Sequence, residues 1–213
     1  MQIGVLGTGQ VGQTLGGKLV ALGHSVMMGA RSADNEKALA FAARTGGQTG
    51  TFAQAAEFGE IVIHATRGDS AIEVLTAAGA ANLAGKLLID LSNPLDFSNG
   101  FPPSLSISNT DSLGELIQRT FPDALVVKTL NTVTASVMID PASVPGPHTV
   151  FVSGNDKGAK GRAMDLLRSF GWQSIIDLGD ITSARATEQM LPLWVRLYSV
   201  LGTGQFNFAL MKA

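Results

Sequence analysis

Short apolar runs alternate with longer segments of helical spacing along most of this chain, and this alternation constrains the fold more than any other feature. Most of the runs are apolar throughout, as expected for strands that helices cover on both faces of a parallel sheet. The sequence therefore predicts an α/β fold with a Rossmann-like, doubly wound and mainly parallel sheet. The predicted strands are Gln2–Leu6, Ser25–Met28, Gln48–Thr51, Ile61–Ala65, Leu87–Asp90, Ala124–Lys128, Thr149–Ser153 and Ser174–Asp177.

The segments between these runs predict helices, and the chain ends in a helical region of different character. From Ile181 onward the pattern is nearly continuous helix, restarted at Pro192, with apolar residues over most of its circumference. Because such a helix needs burial on all sides, we expect a domain of residues 1–178 and a helical appendage, 179–213, that contacts a second copy in a homodimer. The proline- and serine-containing stretch 93–109 predicts an irregular loop over the sheet edge. The predicted helices are Val11–Leu22, Asn35–Arg44, Ala53–Phe58, Ser70–Ala78, Asp111–Thr120 and Lys157–Phe170.

Composition and charge exclude several classes of function. Lysine and arginine number 15 against 17 aspartates and glutamates, and this net charge of −2 does not suit a nucleic-acid partner. The absence of cysteine excludes thiolate chemistry, and the three histidines lack metal-ligand spacing, so we expect no metal. The first strand begins at the N-terminus without a leader-like segment, and no apolar stretch reaches the roughly 18 residues of a membrane span. We therefore expect a cytoplasmic protein that crosses no membrane.

A glycine motif lies between the first predicted strand and the first predicted helix. Its G-x-G-x-x-G residues are Gly7, Thr8, Gly9, Gln10, Val11 and Gly12. In this position the first glycine permits a tight turn, the second leaves room for a pyrophosphate, and the third lets helix and strand pack closely. A glycine-rich turn without a ligand is the alternative, but the flanking strand and helix favour a bound dinucleotide.

The end of the second predicted strand indicates which dinucleotide is bound. An acidic residue is expected there when the cofactor is NAD, and this chain has Arg31 followed by Ser32. A guanidinium with a neighbouring hydroxyl suits the dianionic 2′-phosphate of NADP through charge-assisted hydrogen bonds. The alternative is a solvated loop arginine, and Lys37 either assists at the phosphate or faces water.

Three further strand ends carry residues that we expect at the same edge of the sheet, where cofactor and substrate contacts are made. They are Ala65, Thr66 and Arg67 after the fourth strand, Ser92 and Asn93 after the fifth, and Asn131 after the sixth. Such amide and hydroxyl groups can fix a nicotinamide without acting as acid or base. The alternative is that these residues only cap turns. We favour a functional role over turn capping at Asn131 alone. His64 lies inside an apolar strand, which favours a buried, hydrogen-bonded histidine over a catalytic one.

Taken together, five segments resemble the NADPH-dependent reductases of the deazaflavin coenzyme (factor 420) and their dinucleotide-binding relatives over nearly the whole chain. The segments are the glycine motif, Gly29–Ser32, Asp90–Leu95, Val127–Thr132 and Leu191–Trp194. The resemblance implies that Thr8, Arg31 and Ser32 hold the 2′-phosphate, and that the backbone near Val133 and Ala135 approaches the nicotinamide. Two residues depart from the family pattern: Ala30 stands where a serine is usual, and Arg67 stands where apolar residues are usual.

The resemblance also implies a reaction, which is hydride transfer between the nicotinamide of NADP(H) and a small-molecule acceptor. The acceptor would be the deazaflavin coenzyme or a flavin, aligned by the site without any catalytic side chain. Two alternatives stay open. An imine or ketone reductase of the pyrroline-carboxylate reductase type would need a proton donor, for which the chain offers His64, Tyr198 or water. A nonenzymatic NADP(H) sensor would use the same motif.

Overall fold

The computed structural model describes residues 1–212, and within them ten strands and ten α-helices follow one another in chain order. The strands are β1 Gln2–Leu6, β2 Ser25–Ala30, β3 Gln48–Thr51, β4 Ile61–His64, β5 Leu87–Asp90, β6 Leu95–Asp96, β7 Ser104–Leu105, β8 Leu125–Thr129, β9 Thr149–Gly154 and β10 Ser174–Asp177. The helices are α1 Gln10–Ala21, α2 Glu36–Thr45, α3 Phe52–Phe58, α4 Ala71–Ala78, α5 Ala80–Leu83, α6 Leu113–Thr120, α7 Ala135–Ile139, α8 Lys157–Ser169, α9 Ala184–Gln189 and α10 Leu191–Leu201.

Eight of the strands form one sheet in the order β10-β9-β8-β5-β4-β1-β2-β3. All neighbouring pairs are parallel except β8 and β9, which are antiparallel. The predicted Rossmann-like α/β fold is therefore confirmed. After β3 the chain returns to the other side of β1 to form β4, so the winding reverses between β1 and β4. A crevice forms outside the carboxyl ends of the strands at such a reversal, and ligands of doubly wound proteins bind there.

Apolar side chains of successive strand residues pack on opposite faces of the sheet. On one face Ile3 and Val5 join the cluster that includes Leu15 of α1, while on the other Leu6 joins the cluster that includes Leu75 of α4. These residues are fully buried or nearly so. The strands carry apolar residues at consecutive positions because both faces are covered, as the sequence predicted.

Two parts of the sequence-based prediction are wrong. The stretch 93–109, predicted to be irregular, contains the antiparallel pair β6 and β7. Each of these strands has two residues, which is too short to show an alternating pattern. The nearly continuous helix predicted from Ile181 onward ends at Leu201, the last residue of α10. Within one copy the buried residues of α10 are Leu191 and Val195, and the second copy expected to cover its other sides stays a prediction. The exposed apolar side chains of α10 are Leu193, Tyr198, Val200 and Leu201, at 53, 47, 73 and 54%.

The C-terminal helices are held to the sheet domain by polar contacts as well as apolar packing. The carboxylate of Glu188 in α9 accepts hydrogen bonds from the backbone N–H groups of Leu113 and Gly114, at 2.8 and 3.0 Å, in the first turn of α6. None of the helices among residues 1–212 is both long and apolar enough to span a bilayer.

Candidate functional site

An open cleft of about 500 Å³ lies at the carboxyl ends of β1, β2 and β4, where the winding of the sheet reverses. Most of the residues that the sequence singled out meet here. Those lining the cleft are Gly7, Thr8, Gly9, Gln10, Val11, Arg31, Ala65, Thr66 and Arg67. The lining also includes Ala30, where the resemblance led us to expect a serine, and four residues that sequence reasoning missed: Asn35, Phe52, Ser70 and Val74. The missed residues are ordinary helix-cap and core types, so no sequence signal distinguished them.

The three glycines of the motif have three different surroundings. Gly7 has a φ of +125°, and a Cβ there would lie 2.6 Å from the carbonyl oxygen of Ala65. A Cβ at Gly12 would lie 2.1 Å from the carbonyl oxygen of Gly7, so this glycine allows α1 to pack on the turn. A Cβ at Gly9 would meet no atom within 4 Å. Space is thus left free at Gly9, on the cleft side, which fits the predicted approach of a pyrophosphate.

The N-terminus of α1 faces this space without a capping side chain. Gly9 is the N-cap residue, no side chain accepts a hydrogen bond from the first turn, and the first turn contains no acidic residue. The free N–H groups and the positive end of the helix dipole therefore favour an anion at this point. The 12-residue length of α1 makes this dipole well developed.

Arg31 extends into the same cleft with most of its hydrogen-bonding capacity unused. Its side chain is 75% exposed, and its partner is Glu73, 69% exposed, with 3.5 Å between Nη2 and Oε1. An exposed ion pair at this distance contributes little to stability. A ligand phosphate could therefore replace Glu73 as the partner of Arg31. Ser32 is exposed beside Arg31 but does not line the cleft. On the opposite wall, Arg67 is 74% exposed and paired with Asp69.

A buried cluster of charged groups lies behind the cleft, and sequence reasoning missed it. Asp90 at the end of β5 accepts hydrogen bonds from Nδ1 of His64 and Nζ of Lys128, both at 2.7 Å. Nζ of Lys128 also lies 2.8 Å from Oε1 of Glu188. Exposure of the four side chains is 2% or less. The cluster joins β4, β5, β8 and α9, and its members are up to 124 residues apart in sequence, between His64 and Glu188.

The charges in this cluster stabilise one another. Burial by itself raises the pKa of Asp90, but the charge of Lys128 and the hydrogen bond from His64 outweigh it and hold that pKa well below its usual range. Burial by itself lowers the pKa of Lys128, whereas the carboxylates of Asp90 and Glu188 raise it above its ordinary value. Asp90 and Lys128 are therefore both charged at neutral pH.

The remaining predicted site residues lie at the ends of β5 and β8, outside the lining of the cleft. Asn93 and Asn131 form a reciprocal pair, in which Nδ2 of Asn93 donates to the carbonyl oxygen of Asn131 at 2.8 Å and Nδ2 of Asn131 donates to Oδ1 of Asn93 at 2.9 Å. The hydroxyl of Ser92 donates to Asp90 at 2.7 Å. Val133 and Ala135, at the start of α7, are buried. The two strand ends therefore meet at one edge, as predicted.

Comparisons with known proteins show what this chain is similar to. A family model described as NADP oxidoreductase, coenzyme F420-dependent, matches residues 2–94. A crystal structure of a protein from Arthrobacter sp. FB24, provisionally described as an F420-dependent NADP reductase, is 52% identical over the full length of both chains, with a TM-score of 0.96. The F420-dependent NADP reductase of Methanothermobacter marburgensis is 29% identical over 210 residues, which cover 92% of each chain.

A further relative is a larger protein. Metalloreductase STEAP3 of Rattus norvegicus is 28% identical over 216 residues, covering 96% of this chain and 40% of that protein. This chain therefore spans less than half the length of the metalloreductase. The full-length similarity to the Arthrobacter protein, together with the family model, shows that this chain belongs to the family of coenzyme F420-dependent NADP oxidoreductases.

Proposed function

We propose that this NADP-dependent oxidoreductase transfers a hydride between the nicotinamide of NADP(H) and a deazaflavin- or flavin-like acceptor. The observation that carries the proposal is the cleft itself, in which the open space at Gly9 adjoins the uncapped end of α1 and an exposed arginine, Arg31, lines the same cleft. The family name supports the deazaflavin coenzyme as the acceptor.

Each part of the cofactor has matching residues in this proposal. The turn from Gly7 to Gly12 and the first N–H groups of α1 hold the pyrophosphate. Arg31, Ser32 and Thr8 hold the 2′-phosphate, because the guanidinium is exposed and only weakly engaged by Glu73. The residues assigned to the nicotinamide half are Ala65, Thr66, Arg67, Ser92, Asn93, Asn131, Val133 and Ala135.

When bound, the nicotinamide supplies or accepts a hydride, and the protein aligns the two rings and excludes water. The ionisable residues among those lining the cleft are Arg31 and Arg67, neither of which is a proton donor at neutral pH. His64 is separated from the cleft by Thr66, and the ring of Tyr198 stacks on Trp194 in α10. The residues assigned to the nicotinamide half likewise include no carboxyl, imidazole or lysine side chain. An acceptor that needs no proton from a protein side chain therefore fits these residues better than an imine or ketone does.

We also propose that residues 179–213 contact a second copy of the chain. Leu193, Tyr198, Val200 and Leu201 form an exposed apolar face on α10, in which Leu193 and Val200 lie opposite the residues that pack inward. A second copy of α10 would cover this face and complete the burial that its sequence predicts. Light scattering of the purified protein, with and without Leu201→Asp, tests this part separately.

The test of the proposed reaction is NADPH oxidation, followed by absorbance, with an oxidised deazaflavin in one assay and FMN or FAD in another. Turnover with the deazaflavin alone is the expected result. Turnover with flavin alone would identify a flavin as the acceptor instead. NADPH binding without turnover on any of these acceptors would favour a sensor or a different substrate. Gly9→Val, which fills the pyrophosphate space, is the inactive control, and Gly17→Val is its matched partner because a Cβ at Gly17 also meets no atom within 4 Å.

A further inference from the structure

A continuous chain of hydrogen bonds connects the buried charges to the wall of the cleft. Nδ1 of His64 lies 2.7 Å from Oδ1 of Asp90, and Nε2 of the same ring lies 2.6 Å from Oγ1 of Thr66. Thr66 is half-buried and lines the cleft, whereas His64 and Asp90 are fully buried. The proposed hydride transfer uses none of these buried groups, so their arrangement calls for another explanation.

The chemistry of Asp90 determines which nitrogen of His64 carries the proton. Lys128 donates to Oδ2 of Asp90, while the backbone N–H and hydroxyl of Ser92 both donate to Oδ1. A carboxylate that receives these donors and a buried cation is ionised, so it can only accept hydrogen bonds. Nδ1 of His64 must therefore be the donor to Asp90. The ring is fully buried and Lys128 already supplies the cation that pairs with Asp90, so a second buried cation at His64 is not needed. With one ring proton, on Nδ1, Nε2 is an acceptor.

The direction of the last hydrogen bond follows from this tautomer. Nε2 of His64 accepts the hydroxyl proton of Thr66, which leaves only lone pairs of Oγ1 to face the cleft. A phosphate oxygen at neutral pH is also only an acceptor and could not hydrogen-bond to a hydroxyl held in this way. A hydroxyl or amide N–H of a ligand could do so.

We propose that His64 is a positioning residue that fixes Thr66 as a hydrogen-bond acceptor, so that Thr66 recognises a donor group of the cofactor, a ribose hydroxyl or the carboxamide, and not its phosphates. Lys128 and Glu188 take part by holding Asp90 ionised and in place, which keeps the proton of His64 on Nδ1. The ligand half of this inference rests on the proposed function, because it assumes that NADP(H) occupies the cleft.

The tautomer can be measured directly, without any ligand, by nitrogen NMR of protein labelled with ¹⁵N at histidine. The chain has three histidines, and the signals of the other two are assigned by their loss in His24→Gln and His148→Gln. We expect Nδ1 of His64 to carry a proton and Nε2 to carry none. A proton on Nε2, or protons on both nitrogens, would overturn the inference.

The ligand half is tested by NADPH titration of Thr66→Val and Thr66→Ser. Valine keeps the shape but removes the hydroxyl, and we expect about three- to tenfold weaker binding, the usual range for one hydrogen bond. Serine keeps the hydroxyl and should bind within about twofold of the wild type. Unchanged affinity in Thr66→Val would overturn the ligand half.

A second ligand distinguishes the two donor groups. This ligand is ADP-ribose 2′-phosphate, a compound that contains both riboses of NADP but no nicotinamide. Equal weakening of this ligand and NADPH by Thr66→Val assigns a ribose hydroxyl, and weakening of NADPH alone assigns the carboxamide. If wild-type protein binds neither ligand, the proposed function fails and the ligand half with it, while the NMR measurement still decides the direction of the hydrogen bond.

Discussion

Two neighbouring parts of one sheet edge use charge in opposite ways. At the ends of β1, β2 and β4, the side chain of Arg31 is 75% exposed and lies 3.5 Å from its partner, Glu73. At the ends of β5 and β8, Lys128 is fully buried and lies 2.7 and 2.8 Å from two carboxylates. The first part has hydrogen-bonding capacity that no protein group uses, and the second part uses its capacity internally. The comparison leads us to expect that mutations in the first part act mainly on ligand binding and mutations in the second mainly on stability.

The largest effect is expected from Lys128→Met, which leaves two buried carboxylates without a cation. The free energy of unfolding should fall by about 3–5 kcal/mol, because uncompensated charge is retained in the interior. Urea denaturation followed by circular dichroism measures this change, with Lys37→Met on the exposed face of α2 as the control. A loss below about 1 kcal/mol would mean that the buried cluster does not stabilise the fold.

Gly9→Val should weaken the binding of the cofactor without lowering the free energy of unfolding, which is the opposite of the result expected for Lys128→Met. The valine side chain would occupy the open space in front of α1, so NADPH and NADH should both bind at least about 100-fold more weakly. Isothermal titration and thermal unfolding of Gly9→Val and its matched control Gly17→Val provide the measurement. Wild-type affinity in Gly9→Val would place the pyrophosphate elsewhere.

Arg31→Ala should separate the two cofactors. Loss of the guanidinium removes charge-assisted hydrogen bonds to a 2′-phosphate, so NADPH binding should weaken about 10- to 30-fold while NADH binding is unchanged. Glu73→Gln provides the complementary variant, since it frees Arg31 and should tighten NADPH binding about twofold. Equal weakening of both cofactors by Arg31→Ala would remove Arg31 from the phosphate site.

The pH dependence of the free energy of unfolding should show the contribution of Asp90 in the buried part of the edge. Because the pKa of Asp90 is lower in the folded protein than its ordinary value of 3.8, its stabilising contribution is complete above about pH 4 and is lost as the pH falls below it. Urea unfolding between pH 5 and pH 2 should show a shallower loss for Asp90→Asn than for the wild type, by about 1.4 kcal/mol for each unit of pKa lowering. Identical slopes would show that Asp90 is not held ionised by its neighbours.

The sequence predicted the exposed part of the edge, at the ends of β1, β2 and β4, better than the buried part at the ends of β5 and β8. The difference arises because the first depends on local backbone geometry and the second on contacts between distant residues. Gly7, Gly9 and Gly12 act through local backbone geometry, so their spacing alone predicted the turn at which they lie. The ion pair of Lys128 and Glu188 joins residues 60 positions apart, and neither residue has a neighbour in sequence that reveals its partner. Sequence reasoning correctly interpreted His64 as buried and hydrogen-bonded but could not identify Asp90 and Thr66 as its partners.

A crystal structure of the protein grown with NADPH tests the central claim most directly. The account predicts the pyrophosphate on the N–H groups at the start of α1, in front of Gly9, and the 2′-phosphate within hydrogen-bonding distance of the Arg31 guanidinium. NADPH bound away from the ends of β1, β2 and β4, or bound there with its 2′-phosphate far from Arg31, would contradict it.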